Sequence, residues 1–423
     1  MRITLFALGT RGDVQPTLAL ALALHAAGHT IRIVAGANFR SWIESFGFAF
    51  FPATDMEALM KSPRGIAWVE ERQPLKQLAH MKALAIEHGS EMTQPIIAAA
   101  PDTDLFMSGF IGAAFVAAVC EKYDIPHINL SLQPWRRTQS GAASLNALLP
   151  RATSPLNRWM GKFAEQMVWD SASVTTNRLR EQLGLSRYSR ADGTHMMASF
   201  RILFGFSRHV IPPPPDWSAH INAVGYWFLD DATGYRPPDA LDAFLNAGEP
   251  PVYIGFGSMS SSDPAATIHL VIEALRKTGR RGIIASGWGG GMVEALPESI
   301  LMLDKAPHSW LFERVAAVIH HGGAGTTAAG LRAGKPTMVI PHFTDQPFWG
   351  RRVHELGVGV NPIPRHKLTA DALAAGIRAL TTDTTMRAKA ETLGAAIRAE
   401  DGVGAVVAAV DALARERTAA GSR

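Results

Sequence analysis

One cysteine, Cys120, occurs in 423 residues. No disulfide framework can be built from it, and a reducing cytoplasm suits such a chain. Cys120 sits in the apolar run 110–120 and reads as a small buried hydrophobe. Long hydrophobic runs are missing as well. No stretch of about 18 apolar residues exists, so no membrane-spanning helix is expected. The opening MRITLFALGTRGD has too short an apolar core for a signal peptide. Charge is sparse and nearly balanced, with 41 Lys and Arg against 37 Asp and Glu and a formal net charge of +4. The arginines are scattered apart from the pairs Arg136, Arg137 and Arg351, Arg352. No basic stripe for nucleic acid results. GxGxxG is absent from the first glycine turn, which argues against a nicotinamide cofactor. No His/Asp cluster has metal-ligand spacing, and Asp230 and Asp231 fall in a proline-rich stretch. Neither a metal nor a resident cofactor is expected.

What is present is material for large cores: 47% of residues are hydrophobic and only 18% are charged. At this length that predicts two or three domains. Residues 3–8 (ITLFAL) read as a buried strand. A glycine turn follows, Pro16 is expected to open a helix that Gly28 closes, and 30–35 (TIRIVA) form the next strand. Strand, turn, helix, strand is a βαβ unit and implies a parallel sheet. Residues 211–250, with four consecutive prolines at 212–215, carry linker chemistry. A second strand, turn and helix begins at PVYIGFGS (251–258), with further strand-like runs at 282–286, 316–320 and 337–340. The expected division is an N-terminal domain 1–210, a linker 211–250, a second domain 251–395 and a helical tail 396–423. The expected ligand site is the cleft between the two sheets, at the carboxyl ends of their strands.

Three segments carry chemistry. In HHGGAGTTAAGLRAGKP (320–336) a strand runs into a glycine-rich turn and a helix start. Unpaired backbone N–H groups there favour phosphate, and His321 adds a donor. In PHFTDQPFWGRRV (341–353), Asp345 and Gln346 pair a carboxylate with an amide, the donors and acceptors that sugar hydroxyls need. In GTRGDVQP (9–16), Asp13 fits either an N-cap or a general base. A fourth segment, 135–170, is rich in large apolar side chains. Trp159, Phe163 and Met167 share one helix face, which suits a core-facing helix, a wall of an apolar acceptor pocket that would include Trp135, or a membrane-touching surface.

Taken together, GTRGDVQP, PPVYIGFGSM, HHGGAGTTAAGLRAGKPTMVIP and DQPFWGRRV resemble the family 1 glycosyltransferases. The similarity is greatest to sterol glucosyltransferases and bacterial glycopeptide-type antibiotic glycosyltransferases. The resemblance covers nearly the whole chain, in order. It implies an α/β GT-B fold, with two Rossmann-like β/α/β domains facing each other across a cleft, the first for the acceptor and the second for the nucleotide sugar. It places Asp13 as catalytic base, with Arg11 and Gly12 bordering the diphosphate. Ser258 and the Gly257 backbone would approach the phosphates from the second domain. His321 and the N–H groups of Gly323, Ala324, Gly325, Thr326 and Thr327 would hold the diphosphate, Asp345 and Gln346 the sugar, and His308 would lie near the base-binding turn. Lys305 and Ala329 stand where the plant secondary-product enzymes have a tryptophan and a glutamate, so both UDP- and dTDP-sugars stay open. The implied reaction is inverting, metal-independent transfer of a hexose, glucose from UDP-glucose foremost, to a hydroxyl of an apolar small molecule such as a sterol, triterpenoid, polyketide or lipid. The implied setting is the cytoplasm, with peripheral membrane contact open. Two rivals are a catalytically silent GT-B helper, which has no need of Asp13, His321 and Asp345 with Gln346 together, and a sugar-nucleotide epimerase, which has no need of the apolar segment 135–170.

Overall fold

A computed structural model describes residues 1–71, 73–146, 148–229, 232–256, 264–285, 296–342 and 344–421. The chain divides into two compact units, Met1–Leu229 with Asp401–Arg423, and Asp230–Glu400.

In the first unit seven strands form one parallel sheet: β1 (Arg2–Ala7), β2 (Thr30–Gly36), β3 (Ala49–Ala53), β4 (Leu105–Ser108), β5 (His127–Ser131), β6 (Arg201–Phe204) and β7 (Ile221–Ala223). Their order is β3-β2-β1-β4-β5-β6-β7. Side chains alternate across a strand, and β1 shows why a continuous apolar run is needed. Ile3 and Leu5 pack with Val14, Leu18 and Leu24 of helix α1 (Arg11–Ala26) on one face. Phe6 packs with Phe115 and Val116 on the other. Three further helices matter below: α2 (Met56–Lys61), α3 (Pro74–Glu87) and the 28-residue α4 (Pro155–Gln182).

The second unit holds a five-stranded parallel sheet of β8 (Val252–Gly255), β9 (Gly282–Ala285), β10 (Ile300–Leu303), β11 (Ala317–His320) and β12 (Thr337–Val339), in the order β10-β9-β8-β11-β12. Val252 and Ile254 feed one core and Tyr253 the other. Two of its helices, α5 (Ala324–Arg332) and α6 (Gln346–Glu355), follow β11 and β12.

Three boundaries differ from the sequence reading. Residues 211–250 are not a plain linker: β7 is the last strand of the first sheet, and a helix at Asp239–Asn246 belongs to the second unit. Helix α1 begins at Arg11 rather than at Pro16, which lies inside it. The C-terminal helix α7 (Gly402–Gly421) returns to the first unit. There Val406 and Val410 enter the core beside α1, and Asp411 reaches His29 at 3.2 Å. Each buried valine contributes about 1.5–3 kcal/mol. Among the described residues no helix is long and apolar enough to cross a membrane.

Candidate active site

In a doubly wound sheet, ligands bind beyond the carboxyl ends of the strands, where the strand order reverses. In the first sheet that switch lies between β1 and β4, and in the second between β8 and β11. The turn after β1 carries Asp13 and the turn after β11 carries His321. Each sheet therefore presents one sequence-predicted residue at its own switch point.

The first turn is closed on itself. Thr10, not Asp13, is the N-cap of α1, and Asp13 is the third helical residue of a capping box. The Thr10 N–H donates to Asp13 Oδ2 at 2.9 Å and the Thr10 hydroxyl donates to the same oxygen at 3.3 Å. In return Thr10 Oγ1 accepts the Gly12 N–H at 3.3 Å. A Cβ at position 9 would stand 2.1 Å from Asp13 Oδ2, so only glycine leaves the carboxylate its place. The Arg11 N–H donates to Glu57 of α2 at 3.4 Å. The Arg11 side chain donates to Gln15 and lies 4.5 Å from the Trp42 ring centroid. The backbone N–H groups of Arg11 and Gly12 are thus engaged within the first unit.

The second turn is open. Gly323 is the N-cap of α5, no described side chain caps it, and the first bond of the helix runs from the Thr327 N–H to the Gly323 carbonyl at 2.9 Å. The N–H groups of the first turn precede that bond, and among the described residues nothing lies within 4 Å of where a Cβ at Gly325 would stand. Such a helix start is a binding place for an anion. Gly322 has φ +96°, and a Cβ at Gly323 would sit 2.6 Å from His321 Nε2, so the two glycines let the imidazole lie over the helix start. Burial first, then the neighbouring His342 and His308, pushes the His321 ring down to about 4, so it is neutral at physiological pH. Its Nδ1 is buried, and the Gly255 backbone at the end of β8 opposes the downward shift. His320 is fully buried, and its Nδ1 accepts the Gly322 N–H at 2.9 Å, which fixes the turn and the tautomer.

The third segment lies beside this turn. Asp345 accepts the Trp349 indole N–H at 2.8 Å and the Thr344 hydroxyl at 3.0 Å. Burial raises its carboxyl above the usual range while both donors oppose the shift. Thr344 adopts φ +55°, a conformation that costs a non-glycine residue about 1–3 kcal/mol and clusters at ligand clamps. Gln346 is buried, and its Oε1 accepts the His342 N–H at 2.8 Å, so this amide holds the loop that carries Asp345. His308 stacks on Phe312 at 4.4 Å and lies 3.5 Å from the Tyr253 hydroxyl. Ser258 and Gly257 lie outside the described residues. Among the described residues no group of three or more His, Cys, Asp or Glu could hold a metal ion.

Of the residues expected around an acceptor, Trp135 is buried, with its indole N–H on Ser131 Oγ at 3.1 Å. Trp159 and Phe163 are 65% and 48% exposed on α4, so the core-facing reading of that row does not hold. Sequence reasoning passed over two residues. Glu57 reaches α1 from 46 positions away, which no local signal discloses. His342 was quoted inside a motif but given no role. Its Nε2 is buried without a partner among the described residues, and burial holds the ring down near 4.

Two parallel doubly wound units, each with a turn and a helix start at its switch point, define a GT-B-type fold. The chain resembles solved antibiotic transferases in fold: the calicheamicin glycosyltransferase CalG4 superposes with a TM-score of 0.73 at 17% identity, covering 97% of this chain and 98% of that one. The kitacinnamycin glycotransferase gives 0.74 at 18% identity, covering 97% and 98%. Residues 3–140 match the glycosyltransferase family 28 N-terminal domain, and residues 283–413 match the erythromycin biosynthesis protein CIII-like C-terminal domain. Two sterol 3-beta-glucosyltransferases of Arabidopsis thaliana are 36% and 34% identical over 97% and 98% of this chain. The chain spans 65% and 68% of those proteins, and 30% of the corresponding protein of Neosartorya fischeri, to which it is 33% identical. The chain belongs to the sterol 3-beta-glucosyltransferase family of GT-B glycosyltransferases.

Proposed function

We propose that the chain transfers glucose from a nucleoside diphosphate sugar to the hydroxyl of a sterol or similar apolar alcohol, with inversion and without a divalent metal. The observation that carries this reading is the open start of α5 with His321 over it, at the switch point of the second sheet. A departing diphosphate gains negative charge in the transition state. Fixed N–H dipoles and a neutral imidazole that can donate stabilise that charge and take the place of a metal ion. Asp345, held by Trp349 and Thr344, and Gln346, whose Oε1 also fixes the loop, are the partners for hexose hydroxyls.

On the acceptor side Asp13 takes the hydroxyl proton as the new glycosidic bond forms. An alcohol is too weak an acid to ionise beforehand, so the proton must leave during attack. Attack from the face opposite the diphosphate inverts the anomeric centre. UDP is the donor nucleotide we favour, as the resemblance of the sequence motifs implies. The solved transferase VinC in complex with dTDP, similar in fold with a TM-score of 0.65, keeps dTDP as the second choice. The protein works in the cytoplasm at the surface of a membrane that holds its acceptor.

The test is direct. Purified protein is incubated with UDP-glucose or dTDP-glucose and a panel of sterols, triterpenoids and other apolar alcohols, with and without exhaustive chelation. Mass spectrometry should find the β-glucoside of a sterol, formed equally well in EDTA. Product that needs added Mg²⁺ or Mn²⁺ would overturn the metal-free mechanism, and no glucoside from any acceptor would overturn the reading.

A further inference from the structure

Helix α4 has 28 residues and is therefore about 42 Å long. Strands β1, β4 and β5 of the same unit have four to six residues, about 13–20 Å each. Its C-terminal half is anchored. Thr175 donates to the Ala85 carbonyl of α3 at 2.7 Å, Leu179 enters the core against Phe115 and Val116, and Trp169 is buried. Its N-terminal half is tied instead to the loop that leaves the carboxyl end of β5: Asn157 donates to the carbonyls of Gln139, Pro150 and Ala152. That is the sheet edge on which the Asp13 turn also lies.

This half presents Leu156, Trp159 and Phe163, spaced i, i+3 and i+7 on one face, at 46%, 65% and 48% exposure, after Leu148 at 95% in the preceding loop. Four of the eight strongly exposed large apolar side chains among the described residues lie within these sixteen positions. Exposed apolar residues scattered singly need no explanation, but a contiguous row does. The charge around the row has one sign. Residues 125–164 contain five Lys and Arg and no Asp or Glu. Arg136 and Arg137 pair inward with buried Glu165, and Arg158 pairs with Asp216. Lys162, between Trp159 and Phe163, makes no ion pair among the described residues.

We propose that the N-terminal half of α4, with Leu148, docks on an anionic lipid bilayer, with Trp159, Phe163 and Leu156 entering the headgroup–acyl boundary and Lys162 meeting lipid phosphates. An apolar row carrying tryptophan and phenylalanine, with Lys162 inside it and the neighbouring acids Glu165 and Asp216 taken up by arginines, is the chemistry of an interfacial helix. The placement brings the Asp13 edge of the sheet toward the layer in which an apolar alcohol dissolves. The proposal deepens the acceptor reading and rests on it for its purpose, while its measurement needs neither donor nor acceptor.

The experiment is co-sedimentation of the full chain with vesicles of phosphatidylcholine alone and of phosphatidylcholine with phosphatidylglycerol, both free of sterol. Wild type should partition onto the anionic vesicles, and salt should weaken the binding. The double variant Trp159→Gln, Phe163→Gln should lose at least about tenfold of the partition coefficient. Lys162→Glu should lose less and should flatten the salt dependence. All variants should keep the wild-type melting temperature and the wild-type kcat/KM toward an acceptor presented in detergent micelles. Equal vesicle binding by wild type and the double variant would overturn the proposal. So would absence of binding by wild type, a wild-type dimer that the double variant dissolves, or an equal loss of activity on the micellar acceptor, which would make the row a pocket wall. Vesicle binding without glucoside formation would leave this surface standing and remove the proposed function instead.

Discussion

The turns after β1 and β11 have the same architecture and opposite chemistry. Both join the inner strand of a parallel sheet to a helix at the point where strand order reverses. After β1 the helix start is satisfied from within, by Thr10, by the Asp13 carboxylate and by Glu57 from α2. After β11 the helix start has no described side-chain cap, two glycines clear the approach, and a neutral histidine lies over it. A helix start attracts negative charge either way. The first supplies that charge from the chain and thereby fixes a carboxylate in place. The second leaves it to a ligand. On the proposed reading, an orienting contact for a base and a binding site for a diphosphate are two uses of one motif, decided by whether the third helical residue is an aspartate or a threonine: Asp13 in α1, Thr326 in α5.

The sharpest break in this comparison is Asp13→Asn. The amide oxygen can still accept the Thr10 N–H, so the turn should keep its shape. The first-turn charge is lost at a cost of about 0.3–1 kcal/mol, while the general base disappears at a cost of about 10²–10⁴ in kcat. Turnover measured beside melting temperature and UDP affinity decides the matter. Near-native turnover would leave Asp13 a capping residue only.

The reverse experiment gives the second turn its own carboxylate. Gly325→Asp places one at the second position of α5, into open space. The helix should gain about 0.5–1 kcal/mol from loss of the glycine and about 0.3–1 from the dipole. UDP affinity should fall by several kcal/mol, because two anions would compete for one helix start. A stabilised variant with undiminished UDP binding would show that the diphosphate does not use this place. His321→Ala should be milder, weakening both UDP binding and turnover by about 1.5–3 kcal/mol. Unchanged affinity by calorimetry together with an unchanged rate would count against His321 as a ligand. Asp345→Ala should raise KM for the nucleotide sugar and lower kcat with free UDP affinity nearly intact, by roughly the 1–3 kcal/mol of a lost polar partner. An equal fall in free UDP binding would move Asp345 from the sugar to the nucleotide.

Much of this was legible in the sequence because it is local. The buried strand runs, the glycine turns behind them and the helices that follow have periodicities and punctuation that a parallel fold must have, and β1, β2, β8, β9, β11 and β12 lie on the runs read from the sequence, whereas β3, β6, β7 and β10 lie outside them. Asp13, His321, Asp345 and Gln346 lie within a few residues of such a strand end, so naming the turns named them. What escaped depends on distance along the chain or on competition between neighbours. Thr10 outcompetes Asp13 for the cap because the helix starts at Arg11, five residues before its proline. Glu57 meets Arg11 only through the fold. The prolines at 212–215 look like a linker, yet they lead into β7, an edge strand in which a short extended segment suffices. The row on α4 has helical period, and period alone cannot say whether the face it marks is covered.

The smallest predicted effect separates the two regions by acid. The His321 and His342 rings are held near 4 by burial, against an ordinary value of 6.5. In the unfolded chain both would take up a proton as pH falls past about 6.5, and in the folded chain both stay neutral until about 4. The unfolded state then binds more protons across that window, so stability falls as pH drops from about 6.5 to about 4 and levels off below it. In the first unit His127 is held still lower, near 3, so its contribution continues over a further unit of pH. Calorimetric melting of His342→Gln, followed over this range, should show a shallower acid slope than wild type for whichever transition UDP raises. His127→Gln should change the other transition. The Gln346 contact is made to the backbone N–H of residue 342, so His342→Gln leaves it in place. Melting curves that stay parallel to wild type would mean that the imidazole is not buried in its neutral form, and His321 would then have a charged rather than a neutral His342 as its neighbour.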